Sequence, residues 1–205
     1  MGKLEANKQQ KLTSLLNTAF NLFTTQGVTK TSIAGISQKA GIAKGTFYLY
    51  FKDKYDIRNR LISHESSKLF KNAVADLEEF SKEKNEQLGF EEKIIFIINH
   101  IVDELNSNQT LLTFISKNLS WGIFKEALTT KVASDDINFK DVYYEMINAE
   151  DISLEEPEIM LFLIVELVSS TCYSAILYKE PADIDTIKPY LFKTVRAIIK
   201  EHTIR

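Results

Sequence analysis

The residues best equipped for chemistry in this chain stand close together near its N-terminus: Thr31, Ser32, Lys44, Gly45, Thr46, Tyr48, Tyr50 and Lys54. They are hydroxyls, ammonium groups and one glycine, the set that meets phosphate oxygens and base edges. Lys44 can reach either, and Thr46 can offer a methyl to thymine or a hydroxyl to a base edge. Tyr48, Tyr50 and Lys54 suit phosphate contacts at the margin of a groove. Gly45 costs roughly 1 kcal/mol of helix propensity against alanine, which close approach of a helix to DNA would offset. The plainer alternatives are an N-capping hydroxyl, tyrosines whose rings belong to the core, and a solvated lysine.

Groups of this kind need a rigid carrier, and residues 31–54, TSIAGISQKAGIAKGTFYLYFKDK, have the pattern of one. Two short amphipathic helices are predicted, joined at Gly41, where the chain turns without a side chain in the way. Thr31 or Ser32 caps the first, whose amides and hydroxyl then face a phosphate favoured by the helix dipole. Ile33, Ile36 and Ala40 line its inner side, and Ile42 and Phe47 plug the core from the second helix, Ala43 to Tyr48. Helices this short need a third. It is predicted over Lys8–Thr25 from Leu12, Leu15, Leu16, Ala19, Phe20, Leu22 and Phe23, ending at Gly27, with residues 1–7 as a loose tail. The result is a helix-turn-helix head over residues 1–50.

The rest, 51–205, reads as a helical body, so the fold class is all-α. A helix capped by Asp53 runs from about residue 54 through Ile57, Leu61, Leu69, Ala73, Leu77 and Phe80, linking head to body, with a polar break at Ser81–Gly89. Further helices are predicted at 91–105, 109–117 and along Trp121, Phe124, Leu128 and Val132. Residues 134–156 form either a helix between acidic loops or an irregular cover over a pocket. Two long apolar helices close the chain, about 158–178 and 186–202, with Pro189 in the opening turn of the last. Their apolar surface exceeds what a small monomer hides, so they are expected to pair with a second copy as a four-helix interface.

Of 205 residues, 44% are hydrophobic, and the formal net charge is −3. That charge divides unevenly. Residues 1–60 hold ten Lys or Arg against three Asp or Glu, or +7, whereas 61–205 hold fifteen against twenty-five, or −10. A basic head for phosphate and an acidic body fit this split. Cys172 is the one cysteine and fits a reducing compartment, and the first twenty residues have no signal-peptide pattern, so a cytoplasmic protein is expected. Ile159–Ile176 is apolar but contains Glu166, Ser and Thr residues, which points to a buried helix and not a membrane span. His64, His100 and His202 are too scattered for a metal site, and no cofactor is implied. No Ser/His/acid or Cys/His spacing supports an enzyme.

Gly27, Thr31, Ser32, Ile36, Ala40, Gly41, Ile42, Gly45, Tyr48, Phe51, Lys54 and Ile57 together resemble the motif of the TetR family of bacterial transcriptional regulators, over about the first 60 residues. The resemblance implies a homodimer with an N-terminal helix-turn-helix and a helical ligand-binding body. It also implies repression at a palindromic double-stranded DNA operator, relieved when a small molecule binds. Lys44 to Tyr48 then occupy the recognition helix, Thr31 and Ser32 open the helix before it, and Tyr48, Tyr50 and Lys54 match positions that hold the DNA backbone. Ser37 stands where alanine is usual and Tyr50 where histidine is frequent.

The effector is expected to be small and hydrophobic or aromatic. Phe96, Phe114, Trp121 and Phe124 supply large surfaces for a pocket, as do Tyr143, Phe162 and Tyr173. His100 and Glu166 are its polar candidates, and Glu166 needs a partner in a ligand, a second subunit or water. The alternative is an architectural or partner-binding DNA-binding protein with no small-molecule switch.

Overall fold

A computed structural model describes residues 2–84, 87–118, 139–150 and 152–204. Its helices are α1 (Lys3–Gln26), α2 (Ile33–Lys39), α3 (Lys44–Phe47), α4 (Lys54–Lys84), α5 (Phe90–Ser107), α6 (Gln109–Asn118), α7 (Phe139–Asn148), α8 (Pro157–Leu177) and α9 (Ile184–His202). Among the described residues there is no strand ladder; one antiparallel bridge pairs Leu154 with Thr203. The fold is all-α.

Two compact units divide the chain inside α4, at Ser67. Ile57, Leu61 and Ile62 of α4 are fully buried and belong to the first unit. Its core also takes Leu15, Leu16, Ala19, Leu22 and Phe23 from α1, Ile36 from α2, and Phe47 and Phe51, whose rings lie 5.5 Å apart. The expected loose tail is instead the first turns of α1, since the carbonyl of Gly2 accepts from the amides of Glu5 and Ala6. Good helix formers fill that stretch, and nothing breaks the helix before Gly27 at φ 83°.

In the second unit, α9 packs on α8, and α5 packs on both. Phe90, Val102, Met160, Cys172 and Val195 are buried in it. Burial pushes the Cys172 thiol up to about 12. Ion pairs run between distant stretches: Arg196 with Glu91, Lys188 with Asp103, and Lys93 with Glu150 at 2.6 Å. Glu150 also accepts from the amide of Phe90 at 2.5 Å, which satisfies an otherwise orphan donor at the start of α5.

Three other expectations shift. Helix α4 runs through the expected start of the polar break, Ser81, as far as Lys84, because the Lys and Glu residues there are good helix formers. Pro189 lies past the opening turn of α9, which starts earlier, at Ile184, on an Asp183 cap. Residues 134–156 contain the helical alternative, α7. The stripe from Trp121 to Val132 lies outside the described residues.

Candidate nucleic-acid interface

The head presents its polar groups through local backbone geometry. Gly41, at φ 68°, turns the chain between α2 and α3, and the amide of Ile42 closes the turn on the carbonyl of Ser37 at 2.9 Å. Ser14 donates from α1 to the carbonyl of Ala40 at 3.2 Å, tying the turn to the first helix. The carbonyl of Ala43 accepts from Thr46 and Phe47, and Phe47 is wholly buried. With Phe47 inward, Lys44, Gly45 and Tyr48 are exposed, and Thr46 is half-buried. A Cβ added at Gly45 would meet nothing within 4 Å. The chain itself therefore gives no steric reason for glycine there.

The two hydroxyls before α2 have different jobs. Ser32 is exposed and caps the helix, its Oγ accepting from the amide of Gly35 at 3.0 Å. Thr31 is only 2% exposed, and its hydroxyl donates to the carbonyl of Gly27 at 2.8 Å. The Thr31 hydroxyl, expected to meet phosphate, is buried and bonded within the head. Tyr50 is half-buried, with its hydroxyl donating to the carbonyl of Lys8 at 3.3 Å.

Lys54 is also held inside the head. Its ammonium donates to the carbonyls of Val28 and Thr29, each at 3.0 Å, and of Thr31 at 3.3 Å. An ammonium has three donors. All three have main-chain oxygens within reach. Sequence reasoning also passed over Leu49, which is 82% exposed between Tyr48 and Tyr50. A single leucine beside a helix reads as core, so the sequence carried no signal for its exposure.

The effector candidates scatter over the second unit. Phe114 is buried in α6, and Phe96 is half-buried against Phe80, ring centroids 5.4 Å apart. Tyr143 is buried and donates to the carbonyl of Pro157 at 3.0 Å; burial raises its hydroxyl well above the usual range. Phe162 is half-buried on α8, and the Tyr173 hydroxyl shares a 3.0 Å bond with that of Tyr178. His100 lies between carboxylates, Nδ1 at 3.0 Å from Asp76 and Nε2 at 3.4 Å from Glu104. Glu166 is exposed, which removes the need for a buried partner. Trp121 and Phe124 lie outside the described residues.

By length and composition α8 could cross a bilayer, with a mean hydropathy of 1.9. One side of it, however, packs on α5 and α9. The exposed residues Ile159, Leu163, Glu166 and Ser170 follow one another at three- and four-residue steps along it.

Residues 15–61 match the family model for bacterial regulatory proteins of the tetR family. The HTH-type transcriptional regulator AcrR of Shigella flexneri is 38% identical over 55 residues, 27% of this chain and 26% of that protein. The fatty acid metabolism regulator protein of Bacillus subtilis (strain 168) is 31% identical over 93 residues, 45% of this chain and 44% of that one. Both matches thus span less than half of the relative's length. Solved structures extend the likeness in fold to nearly the whole chain. A tetR family regulator from Shewanella sp. PV-4 is similar with a TM-score of 0.64 at 15% identity, covering 95% of this chain and 99% of that one. The regulator FadR from Bacillus subtilis, in complex with stearoyl-CoA, has a TM-score of 0.61 at 18% identity, covering 89% and 96%. The head thus matches the family model for bacterial regulatory proteins of the tetR family, and the chain shares its all-helical fold with solved regulators of that family.

Proposed function

We propose that the protein is a sequence-specific DNA-binding repressor, acting as a homodimer on a palindromic operator in the cytoplasm. The observation that carries this reading is the outward face of α3, where Lys44, Gly45 and Tyr48 are exposed over a buried Phe47. Ser32 joins them from the start of α2, where the helix dipole attracts phosphate. Thr46 and Tyr50 lie at the edge of this face. In the dimer the two recognition helices would be about 34–36 Å apart, to enter successive major grooves.

Pairing through α8 and α9 is supported by their apolar residues left in the open: Ile159 is 50% exposed, Leu163 42% and Tyr190 70%. Helices that are apolar all round need cover on more than one side. The effector is a small hydrophobic molecule that binds the body and favours a dimer whose heads no longer fit the operator, so that affinity falls by the difference in its affinity for the two states. The stearoyl-CoA bound by the similar Bacillus subtilis regulator makes a long-chain acyl thioester the first one to try.

Selection of genomic fragments with the purified protein tests the reading. The expected result is a short palindrome bound by a dimer and released by stearoyl-CoA or another apolar compound. Weak binding to every duplex, with no shared site, would overturn it. The architectural alternative draws support from Glu166, His100 and Tyr143, each of which is accounted for without a ligand. It predicts a shared site whose affinity no metabolite alters.

A further inference from the structure

We propose that Lys54 governs DNA affinity as a positioning residue, by fixing the loop that enters α2, and not by touching phosphate. The inference rests on the DNA-binding reading above. Residues 27–32 connect α1 to α2 and end in Ser32, the cap of the helix. Within the loop the carbonyl of Val28 accepts from the amide of Thr31 at 3.3 Å. Lys54, in the first turn of α4, gathers the carbonyls of Val28, Thr29 and Thr31 at 3.0–3.3 Å.

Placing a cation at a helix N-terminus opposes the dipole, so the side chain needs negative partners of its own. Three carbonyl oxygens supply them. The same loop is held from its other side by Thr31, whose hydroxyl donates to Gly27 and accepts from the Gln26 side-chain amide at 3.2 Å. Lys54 and Thr31 thereby fix where Ser32 and the first amides of α2 stand. An ammonium whose three protons are all engaged has none left for a phosphate oxygen. Arginine cannot replace it, because a flat guanidinium fork does not reproduce three divergent donors.

The test compares Lys54→Met, Lys54→Arg and the exposed-surface control Lys44→Ala in the full-length protein. The readouts are amide hydrogen exchange over residues 27–35 and affinity for a selected operator duplex at several salt concentrations. Lys54→Met and Lys54→Arg should both speed exchange in that loop and weaken the operator by a similar factor, roughly 10-fold or more, with the salt slope unchanged. Lys44→Ala should lower the slope by about one if that lysine meets phosphate. A slope lowered by about one in Lys54→Met but kept in Lys54→Arg, with exchange unaltered in both, would overturn the proposal. Should Lys54→Met fail to fold, Lys54→Arg alone decides: native exchange and native affinity overturn it, and a loosened loop supports it. If the wild-type protein binds no duplex, the DNA-binding reading fails by itself, and the exchange data still show whether Lys54 holds the loop.

Discussion

The head and the body solve the same problem, holding helices together, by different means. Helices of seven and four residues in the head bury little surface, and the gaps between them are closed by side chains bonded to main-chain carbonyls: Ser14 to Ala40, Thr31 to Gly27, Lys54 to three at once. Three helices of the body have 18 to 21 residues, with apolar faces for packing and ion pairs between side chains. Side chain to carbonyl bonds fix position to a fraction of an ångström, whereas apolar packing leaves room for rearrangement. On the proposed function, a surface that fits DNA calls for the first, and a body that responds to a ligand can use the second.

The largest test of that contrast is Phe47→Ala. Loss of a fully buried ring from so small a core should cost about 3–5 kcal/mol and melt the head at a lower temperature, with the body transition unchanged in a thermal scan. A single shifted transition would mean that the two units unfold as one. Gly45→Ala separates stability from fit: the folded protein should gain about 0.5–1 kcal/mol because the new methyl has open space, yet operator affinity should fall ~10-fold, within the range of one base contact. Gain in both would dismiss close approach at this position. Ser37 buries a hydroxyl with no hydrogen-bond partner, so Ser37→Ala should raise the denaturation midpoint by the equivalent of up to about 1 kcal/mol.

The smallest effect is a titration in the body. The amide of Thr186 holds the exposed Asp183 carboxyl below its ordinary value of 3.8. A lowered value means that the unfolded chain binds the proton more readily, so this cap stabilises α9 above pH 3.8 and is lost as pH falls below it. Amide exchange at the start of α9 should quicken over that range, and Asp183→Asn should abolish the dependence while preserving a cap.

Much of the head was legible because its signals are local. Gly27 and Gly41 sit at positive φ, and Phe47 and Ile36 are buried where helical spacing put them. Thr31 and Ser32 are indistinguishable in a capping pattern, since either hydroxyl can serve. Which one turned inward depended on the carbonyl of Gly27 and the packing above it. The bonds of Lys54 were not legible, because its three carbonyls lie 23 to 26 residues away in sequence. Glu166 looked costly in a greasy helix only while every side of that helix was taken to be covered. The start of α1 was missed because a polar helix carries no apolar period to detect.

The uncovered stripe of α8, with Ile159 and Leu163 in the open, has a consequence for dosage. A protein whose subunits must meet along that stripe before gripping DNA has an active concentration that, when scarce, rises as the square of the number of chains made. Doubling its synthesis then raises the active form about fourfold. On the proposed function, repression would set in sharply with expression level, before any effector is considered.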